Sequence, residues 1–337
     1  MTVFIIRRLV LMIAILCVTS FLVFAAVEFS PGNVANKMLG PYSTSEQREI
    51  LFRKLNLDDP LLVRYGRWIG GVLGLADDPL GNPELGLGFH DPRGTRYFGN
   101  LGYSTLFKEP VNDILWDRLG NTGILAGITF AVLLPLSLAF GVFSGMRAGS
   151  VTDRSLSLIG ATLISIPEFA SSVFLMAIFV VSLKWLPGTS PLTPSPDWPV
   201  FLQFVLPVTV LVLYDFGYVA RMIRGSMVEV MNMDFIRTAI LKGLPIRRVV
   251  LGHALRNALI APFTIILLQI NWLITGVVVT EVVFSFPGFG RLLLEGALYG
   301  DIALIEATTL VALLLAVITR LVGDIGYMLL NPRIRLT

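Results

Sequence analysis

Charged residues, cysteine and histidine are all scarce in this 337-residue chain. Only 15% of its residues are charged and 55% are hydrophobic, whereas soluble globular domains carry roughly 25% charged residues. This deficit excludes an ordinary cytosolic enzyme, a disordered chain and a nucleic-acid-binding domain. With the single cysteine Cys17 the chain forms no internal disulfide, and two histidines, His90 and His253, argue against a histidine-rich metal site. The composition predicts an integral membrane protein.

Long apolar runs occupy much of the chain. A helix needs about 20 apolar residues to cross the hydrocarbon core of a bilayer. Six runs reach that length, at about 9–29, 120–146, 158–183, 200–220, 258–280 and 303–330. The alternative for the first run is a cleaved signal peptide, but the run is too long and its small-residue cleavage site is poor. We therefore expect an all-α protein with six membrane-spanning helices.

The basic residues predict the orientation, because Lys and Arg beside short loops stay on the cytoplasmic side. Thirteen of them fall in the segments that share one side with the N-terminus, whereas the short segments opposite hold Lys184 and Arg291. The thirteen are Arg7, Arg8, Arg147, Arg154, Arg221, Arg224, Arg237, Lys242, Arg247, Arg248, Arg256, Arg333 and Arg335. Both termini are therefore expected in the cytoplasm.

These spans divide the chain into four segments. We expect a cytoplasmic end and first helix at 1–29, an outside segment at 30–119, a membrane core at 120–330 and a cytoplasmic tail at 331–337. Within the outside segment, SEQREILFRKLNL predicts a short amphipathic helix with Ser45 as its N-cap. LVRYGRWIGGVLGL predicts a second helix on the membrane surface.

Catalytic motifs are missing from the sequence. It has no G-x-x-x-x-G-K-[ST] phosphate loop, no H-E-x-x-H zinc motif and no G-x-S-x-G nucleophile motif. If the work of this chain consumes ATP, another chain must hydrolyse it.

The cytoplasmic loop between the fourth and fifth spans, at 221–257, carries the most information. Apolar Phe235, Ile236, Ala239 and Ile240 share one helical face, and Gly243-Leu244-Pro245 ends that helix. The pattern predicts a short helix at 234–244, parallel to the membrane and flanked by basic residues. From the residues alone, such a helix fits anionic lipid and a groove on a partner protein equally well.

The loop resembles the coupling loop of ABC importer permeases of the dipeptide/oligopeptide class. The resemblance rests on Phe235-Ile236-Arg237-Thr238-Ala239, on Lys242-Gly243-Leu244 and on His253-Ala254-Leu255-Arg256-Asn257-Ala258. Against the general E-A-A-x-x-x-G signature, Ala239 and Gly243 match, whereas Arg237 and Thr238 take the form of the peptide class. Further matches are Arg7-Arg8 with Ser30-Pro31-Gly32, EVVFSFPGFGRLL at 281–293, and Asn331-Pro332-Arg333-Ile334-Arg335, where Asn331 stands in place of the usual Asp. Only about 76–110 has no clear counterpart.

This resemblance implies a fold and a set of partners. The fold would be that of a type I ABC importer permease, in a bacterial inner membrane, with 30–119 in the periplasm. A second homologous permease, two cytoplasmic ATPases and a periplasmic or lipid-anchored binding protein would complete the importer. This chain would bind no cofactor, metal or nucleic acid, since ATP and Mg²⁺ belong to the ATPases. The residues expected to couple to an ATPase are Asp234, Phe235, Arg237, Thr238, Ala239, Lys242, Gly243, Leu244 and Pro245.

Two further groups are candidate functional residues. Ionisable and polar side chains inside spans are costly and usually functional, and here they are Glu168, Asp215, Gln269 and Asn271. We expect them either to line the translocation path, where the acids would meet a substrate ammonium group, or to brace helix packing. The turn formed by Phe284, Phe286, Pro287, Gly288 and Gly290 is predicted to contact the binding protein, form an outer gate, or anchor the chain at the interface.

Two other classes of function compete with this interpretation. A self-sufficient secondary transporter or channel would show inverted repeats with broken helices, and we find no internal repeat. A membrane-embedded enzyme would need clustered His, Cys or Asp inside the spans. The imported solute stays open among dipeptides, oligopeptides, glutathione, nickel chelates, oligosaccharides and opines.

Overall fold

A computed structural model describes residues 2–29, 44–54, 56–77, 91–188, 198–275 and 277–330 of the chain. Within these ranges the regular structure is helical, and an isolated antiparallel bridge joins Tyr103 to Pro110. His90, the Ser30-Pro31-Gly32 motif and the tail at 331–337 lie outside the described residues.

The first three helices include the two short helices that the sequence predicts. They are α1 (Thr2–Glu28), α2 (Ser45–Lys54) and α3 (Leu61–Val72). Helix α2 begins at Ser45 itself, where the sequence predicts a cap.

The remaining helices run from residue 111 to residue 330. The first group is α4 (Val111–Met146), α5 (Val151–Ser165), α6 (Glu168–Met176), its π-helical continuation π1 (Ala177–Ser182), α7 (Val200–Met231) and α8 (Asp234–Leu241). The second group is α9 (Ile246–Arg248), π2 (Val249–Ala254), α10 (Leu255–Ala258), α11 (Ile260–Thr275), α12 (Val278–Val283), α13 (Phe289–Tyr299) and α14 (Ile302–Leu330).

Long apolar helices confirm a multi-pass membrane protein. In the described part of the chain, five stretches are long and apolar enough to cross a bilayer: Ile6–Glu28, Val111–Met146, Val200–Met231, Ile260–Val283 and Ile302–Gly326. A sixth crossing is available if α5 and α6–π1 together form one span.

That sixth stretch is broken, whereas the sequence suggests a continuous span at 158–183. Its two halves meet at 93°. The break follows from Pro167, since proline disfavours the helical conformation of the residue before it. Ile166 accordingly has an extended backbone, with φ −87° and ψ 120°. Residues 165–167 are exposed at the surface of the chain.

The described helices belong to two compact units, and α4 and α14 contribute residues to both. Unit 1 comprises Met1–Asn121 and Gly288–Val317. In its core, Val111, Leu115, Leu292 and Leu304 are completely buried.

Polar contacts hold the non-spanning segments of unit 1 in place. Helix α3 packs on α1, where the Tyr65 hydroxyl lies 2.8 Å from Ser20 Oγ and Arg64 pairs with Glu28. Asp301 precedes α14 and accepts hydrogen bonds from Ser104 Oγ at 2.6 Å and from the Leu106 backbone N–H at 2.9 Å. These bonds fix the segment around residues 101–110 on the start of α14.

Unit 2 comprises Thr122–Pro287 and Ile318–Thr337, and α7 forms its centre. Glycines let neighbouring helices approach α7 closely. A Cβ atom added to Gly141 or Gly145 of α4 would lie 2.7 Å from Ile223 Cβ or 2.6 Å from Met227 Cβ. A Cβ atom on Gly217 of α7 would lie 2.2 Å from the carbonyl oxygen of Gly160 on α5. Small residues commonly permit such approaches between membrane helices.

Candidate coupling surface and polar residues at membrane depth

The predicted loop at 221–257 is largely helical. Helix α7 continues to Met231, beyond the predicted end of the fourth span at 220. With 32 residues and a rise of about 1.5 Å per residue, it is about 48 Å long, longer than a bilayer core of roughly 30 Å. The last turns of α7 can therefore project from the membrane and carry α8 beyond it.

Helix α8 ends in the way the sequence predicts. Gly243 has a left-handed backbone with φ +78°. Its N–H donates to the Ile240 carbonyl at 2.9 Å, and the Leu244 N–H donates to the Ala239 carbonyl at 3.3 Å. These two bonds form a Schellman motif, which satisfies carbonyls at the end of a helix. Pro245 follows, so the helix cannot continue.

The two sides of α8 differ in burial. Ile236 and Ala239 point inward and belong to the main core of unit 2, with 1% and 7% of their surfaces exposed. Phe235 and Ile240 lie at the margins, 40% and 49% exposed, and Leu241 is 79% exposed. The predicted apolar face is therefore divided: its centre anchors the helix, and its margins stay available for another surface.

Basic side chains in and after α8 are exposed as well. Arg237, Lys242, Arg247, Arg248 and Arg256 are all exposed, and none forms an ion pair with a described residue. Asp234 and Thr238 are also exposed, and the Thr238 hydroxyl donates to the Asp234 carbonyl at 2.9 Å.

A π-helical turn follows α8 and α9 and returns the chain to the core. In π2, Val249, Val250 and Ala254 are buried, whereas His253 is exposed. Ser226 Oγ on α7 donates to the Ala258 carbonyl at 2.6 Å. Thus α8 is tied to unit 2 on both sides.

Sequence reasoning missed a buried ion pair that joins α5 to α7. Asp153 is 2% exposed and accepts hydrogen bonds from Arg224 Nε at 2.5 Å and Nη2 at 2.7 Å. Ser144 Oγ and the Gly149 N–H donate to the same carboxylate at 2.5 and 2.8 Å. The sequence did offer a sign that Asp153 lies in the first turn of a helix: Ser150 stands three residues before it, which is the spacing of a helix N-cap. Its hydroxyl accepts from the Asp153 N–H at 3.1 Å.

Three of the four polar residues predicted at membrane depth take part in two hydrogen-bonded pairings. Glu168, 9% exposed, accepts from the Thr280 N–H at 3.1 Å and the Thr280 hydroxyl at 2.5 Å. Asp215, 2% exposed, accepts from Gln269 Nε2 at 2.5 Å. Asn271 is half-buried on the same helix as Gln269. The structure therefore joins α6 to α12 and α7 to α11 through carboxylates.

The predicted aromatic turn has its large side chains buried. In unit 2, Phe284 and Phe286 are 1% and 0% exposed, and the Phe286 ring lies edge-on to Phe204 at 6.1 Å. Pro287 is half-buried. In unit 1, Gly288 caps α13 and Gly290 is buried within it. Sequence reasoning also missed the neighbouring Glu281, which is fully buried and accepts from the Thr122 hydroxyl at 2.5 Å.

A polar cluster in the segment before α4 includes a carboxyl with a lowered pKa. Asp91 accepts from the Arg93 backbone N–H at 2.9 Å and from the Tyr97 hydroxyl at 2.9 Å. Burial by itself raises the pKa of Asp91. The hydrogen bonds from Arg93 and Tyr97 more than offset this effect and hold the pKa below its ordinary value.

Known proteins match the chain along nearly all of its length. Residues 137–336 match the family described as binding-protein-dependent transport system inner membrane component, and residues 1–126 match the N-terminal domain of such components. The chain is 32% identical over 337 residues to the probable peptide ABC transporter permease protein y4tP of Sinorhizobium fredii, covering 99% of this chain and 100% of that one. It is 32% identical to the oligopeptide transport system permease protein AppB of Bacillus subtilis, with 99% of each chain covered.

A solved structure shares the fold. It is an inward-facing conformation of the MetNI methionine ABC transporter, with a TM-score of 0.50, 15% identity, and coverage of 66% of this chain and 96% of that chain. Multiple apolar spans, the resemblance of the coupling segment and these matches agree. The chain belongs to the family of binding-protein-dependent transport system inner membrane components.

Proposed function

We propose that this permease forms, with a second homologous permease, the translocation path of an ATP-driven peptide importer. The observation that carries the proposal is α8: Ile236 and Ala239 bury one side of it, and exposed Phe235, Ile240 and Leu241 form an apolar margin. An amphipathic helix with such a margin fits a hydrophobic groove on a partner. We propose that the groove belongs to one of two cytoplasmic ATPases.

The anchoring of α8 supports a mechanical role. Because Ile236 and Ala239 belong to the core of unit 2, a displacement of α8 transmits force to α7 rather than bending a loop. ATP would close the ATPases and bias the permease pair between inward- and outward-facing states, a rigid-body switch. This chain contributes no catalytic residue, and ATP with Mg²⁺ would be bound by the ATPases.

Peptides are the proposed class of solute. The relatives y4tP and AppB are named as a peptide and an oligopeptide permease, and each is 32% identical to this chain over nearly its whole length. A periplasmic or lipid-anchored binding protein would deliver the solute. Dipeptides and oligopeptides are the first solutes to test.

The proposed location is a bacterial inner membrane, with both termini and α8 in the cytoplasm. The exposed arginines and lysine around α8 support this orientation, since such residues favour the cytoplasmic side. The segment 30–119 would then lie in the periplasm.

We propose that the break at 165–167 faces the path between the two permeases. Non-helical backbone at membrane depth is tolerated where it is buried in protein or lines a water-filled cavity, and lipid cannot satisfy its polar groups. This break is exposed on the isolated chain.

The burial of Glu168 and Asp215 supports bracing of the helices behind the path, and half-buried Gln269 and Asn271 are the better candidates for contact with solute.

For the turn at 284–290, we propose a structural role at the outer end of α12. Buried Phe284 and Phe286 support anchoring of that end within unit 2. Contact with the binding protein would then involve other residues of the outer surface.

The proposal is tested by copurification from solubilised membranes with the variant Leu241→Asp. A charge at this 79% exposed position should weaken ATPase retention about tenfold, because an unpaired carboxylate would enter an apolar groove. Retention of the second permease should not change. The matched control is Val151→Asp, at an 80% exposed apolar position outside α8, for which normal ATPase retention is expected.

The competing function is a self-sufficient secondary transporter or channel. If the native chain purifies without any ATPase and still moves peptides in ATP-free liposomes, the importer proposal is wrong. If Leu241→Asp and Val151→Asp lose the ATPases equally, α8 is not the docking helix.

A further inference from the structure

A groove between α4, α5 and α7 combines an apolar floor with an exposed arginine. It is a shallow groove that is partly open to the surroundings. Its lining includes Phe140, Gly160, Ala161, Phe216, Ala220 and Arg221. The Phe140 and Phe216 rings meet edge to face at 5.0 Å, and Gly160 and Gly217 bring the backbones of α5 and α7 together. The floor therefore consists of rings and small residues on three membrane helices.

The groove has one charged end, beside the turn that joins α4 to α5. Two arginines lie there, but their environments differ. Arg224 is held by Asp153 through two hydrogen bonds. Arg221 is exposed, and no described residue forms an ion pair with it. Among the described residues its guanidinium has no acidic partner, so it can donate hydrogen bonds to a bound anion.

The surrounding sequence adds to the positive charge. Segments 144–157 and 217–224 contain Arg147, Arg154, Arg221 and Arg224 but only Asp153 as an acid. Arg147 and Arg154 are exposed, and the Arg147 guanidinium lies 3.9 Å from the centre of the Phe143 ring. This end of the groove therefore attracts an anion at the level where membrane helices meet water.

We propose that the groove binds one anionic phospholipid from the leaflet on the side of α8. Its phosphate would accept hydrogen bonds from Arg221, and one acyl chain would lie along Phe140, Ala161 and Phe216. A soluble anion would satisfy Arg221 but leave the apolar floor uncovered, whereas a phospholipid matches both parts. Basic pockets between helices suit such headgroups. The inference requires only that these helices span a bilayer, so its failure would leave the proposed function intact.

Photocrosslinking in nanodiscs tests the site. The purified complex is placed in phosphatidylcholine nanodiscs with a trace of photoactivatable phosphatidylglycerol, and crosslinked peptides are identified by mass spectrometry. The expected crosslinks fall on α5 and α7. Arg221→Gln should lower them about fivefold, which corresponds to the usual contribution of one basic residue to anionic lipid binding. Arg221→Lys should retain most of them.

Two further variants separate charge from groove shape. Ala161→Trp keeps Arg221 and fills the groove at an exposed position, so it should also lower crosslinking about fivefold. Arg320→Gln removes an exposed arginine from α14, outside the groove, and should leave crosslinking unchanged. Copurification of partner chains with each variant verifies folding and assembly.

Four results would overturn the inference. The first is that a photoactivatable phosphatidylcholine labels the same peptides equally well, and the second is that Arg221→Gln and Arg320→Gln behave alike. The third is that excess inorganic phosphate abolishes labelling, which would identify a soluble-anion site. Crosslinking of the groove to a second permease instead of lipid would show that protein covers it.

Discussion

Buried carboxylates connect distant parts of this chain at the level of single residues. Asp153, Glu168, Asp215, Glu281 and Asp301 are each buried and each accept a hydrogen bond from a side chain on another element or turn. A polar group buried in a low-dielectric interior is costly unless paired, so each pairing favours one packing of its helices over alternatives. This explains why an apolar membrane protein keeps acids in its interior.

The lowered pKa of Asp91 predicts a pH-dependent contribution to stability. Its carboxyl has a lower pKa in the folded chain than in the unfolded chain. The folded state is therefore stabilised above the unfolded-state pKa of about 4, and the benefit is lost as the pH falls through the folded-state value. Asp91→Asn should lower the free energy of unfolding by about 1–2 kcal/mol at pH 7.

Thermal unfolding in detergent between pH 7 and pH 3 measures this effect. The melting temperatures of the native chain and of Asp91→Asn should converge as the pH falls. Asp117→Asn is the control, since it removes an exposed carboxyl and leaves the contacts of Asp91 with Arg93 and Tyr97 in place. A gap for Asp91→Asn that stays the same over this range would contradict the assignment.

Close contacts made possible by glycine decide how the elements pack. Helix α7 crosses α5 where Gly217 meets Gly160, and it meets α4 at Gly141 and Gly145. Van der Waals packing drives association of membrane helices because lipid is as apolar as their side chains. Small residues at these crossings therefore stabilise unit 2 more than extra apolar surface would.

Gly217→Ala should destabilise the chain, because its methyl group would overlap the Gly160 backbone. The added Cβ would lie 2.2 Å from the Gly160 carbonyl oxygen, and overpacking of this kind costs about 1–3 kcal/mol or more. The control is Gly225→Ala on the same helix, where nothing lies within 4 Å. There alanine should be neutral or stabilise the helix by about 0.5–1 kcal/mol.

Chemical denaturation or heat in the same detergent measures both glycine variants. Equal stability of Gly217→Ala and Gly225→Ala would show that α5 and α7 do not cross at these residues.

At the scale of the whole molecule, the distribution of apolar and basic residues along the chain predicts the membrane topology. Five long apolar helices and one bent pair account for the crossings in the described part. The segments between these helices, α8 among them, carry charged and polar groups that are expected to stay in water. This arrangement predicts which positions a membrane-impermeant reagent can reach.

Single cysteines in a Cys17→Ser background test the proposed topology. Phe98→Cys, at an 82% exposed position, should react with an impermeant maleimide in cells whose outer membrane has been permeabilised. Lys242→Cys, beside α8, should react only after the inner membrane is opened. The reverse pattern would place α8 outside and exclude its proposed contact with cytoplasmic ATPases.

Much of this protein was predictable from local sequence. Apolar runs identify the spans because a bilayer requires about 20 apolar residues. Gly243 and Pro245 define the end of α8 because their backbone preferences are intrinsic. The motif at 235–258 points to the family because its residues lie close together in the chain.

Only the tertiary structure determined which buried polar side chains pair with residues far away in the sequence. Thr280 lies 112 residues from Glu168 and Arg224 lies 71 residues from Asp153, so no local pattern reveals either pairing. The division of α8 into a buried centre and an exposed margin depends on the core it packs against. Sequence composition sets which segments enter the membrane, but the close packing of helices determines which polar groups meet there.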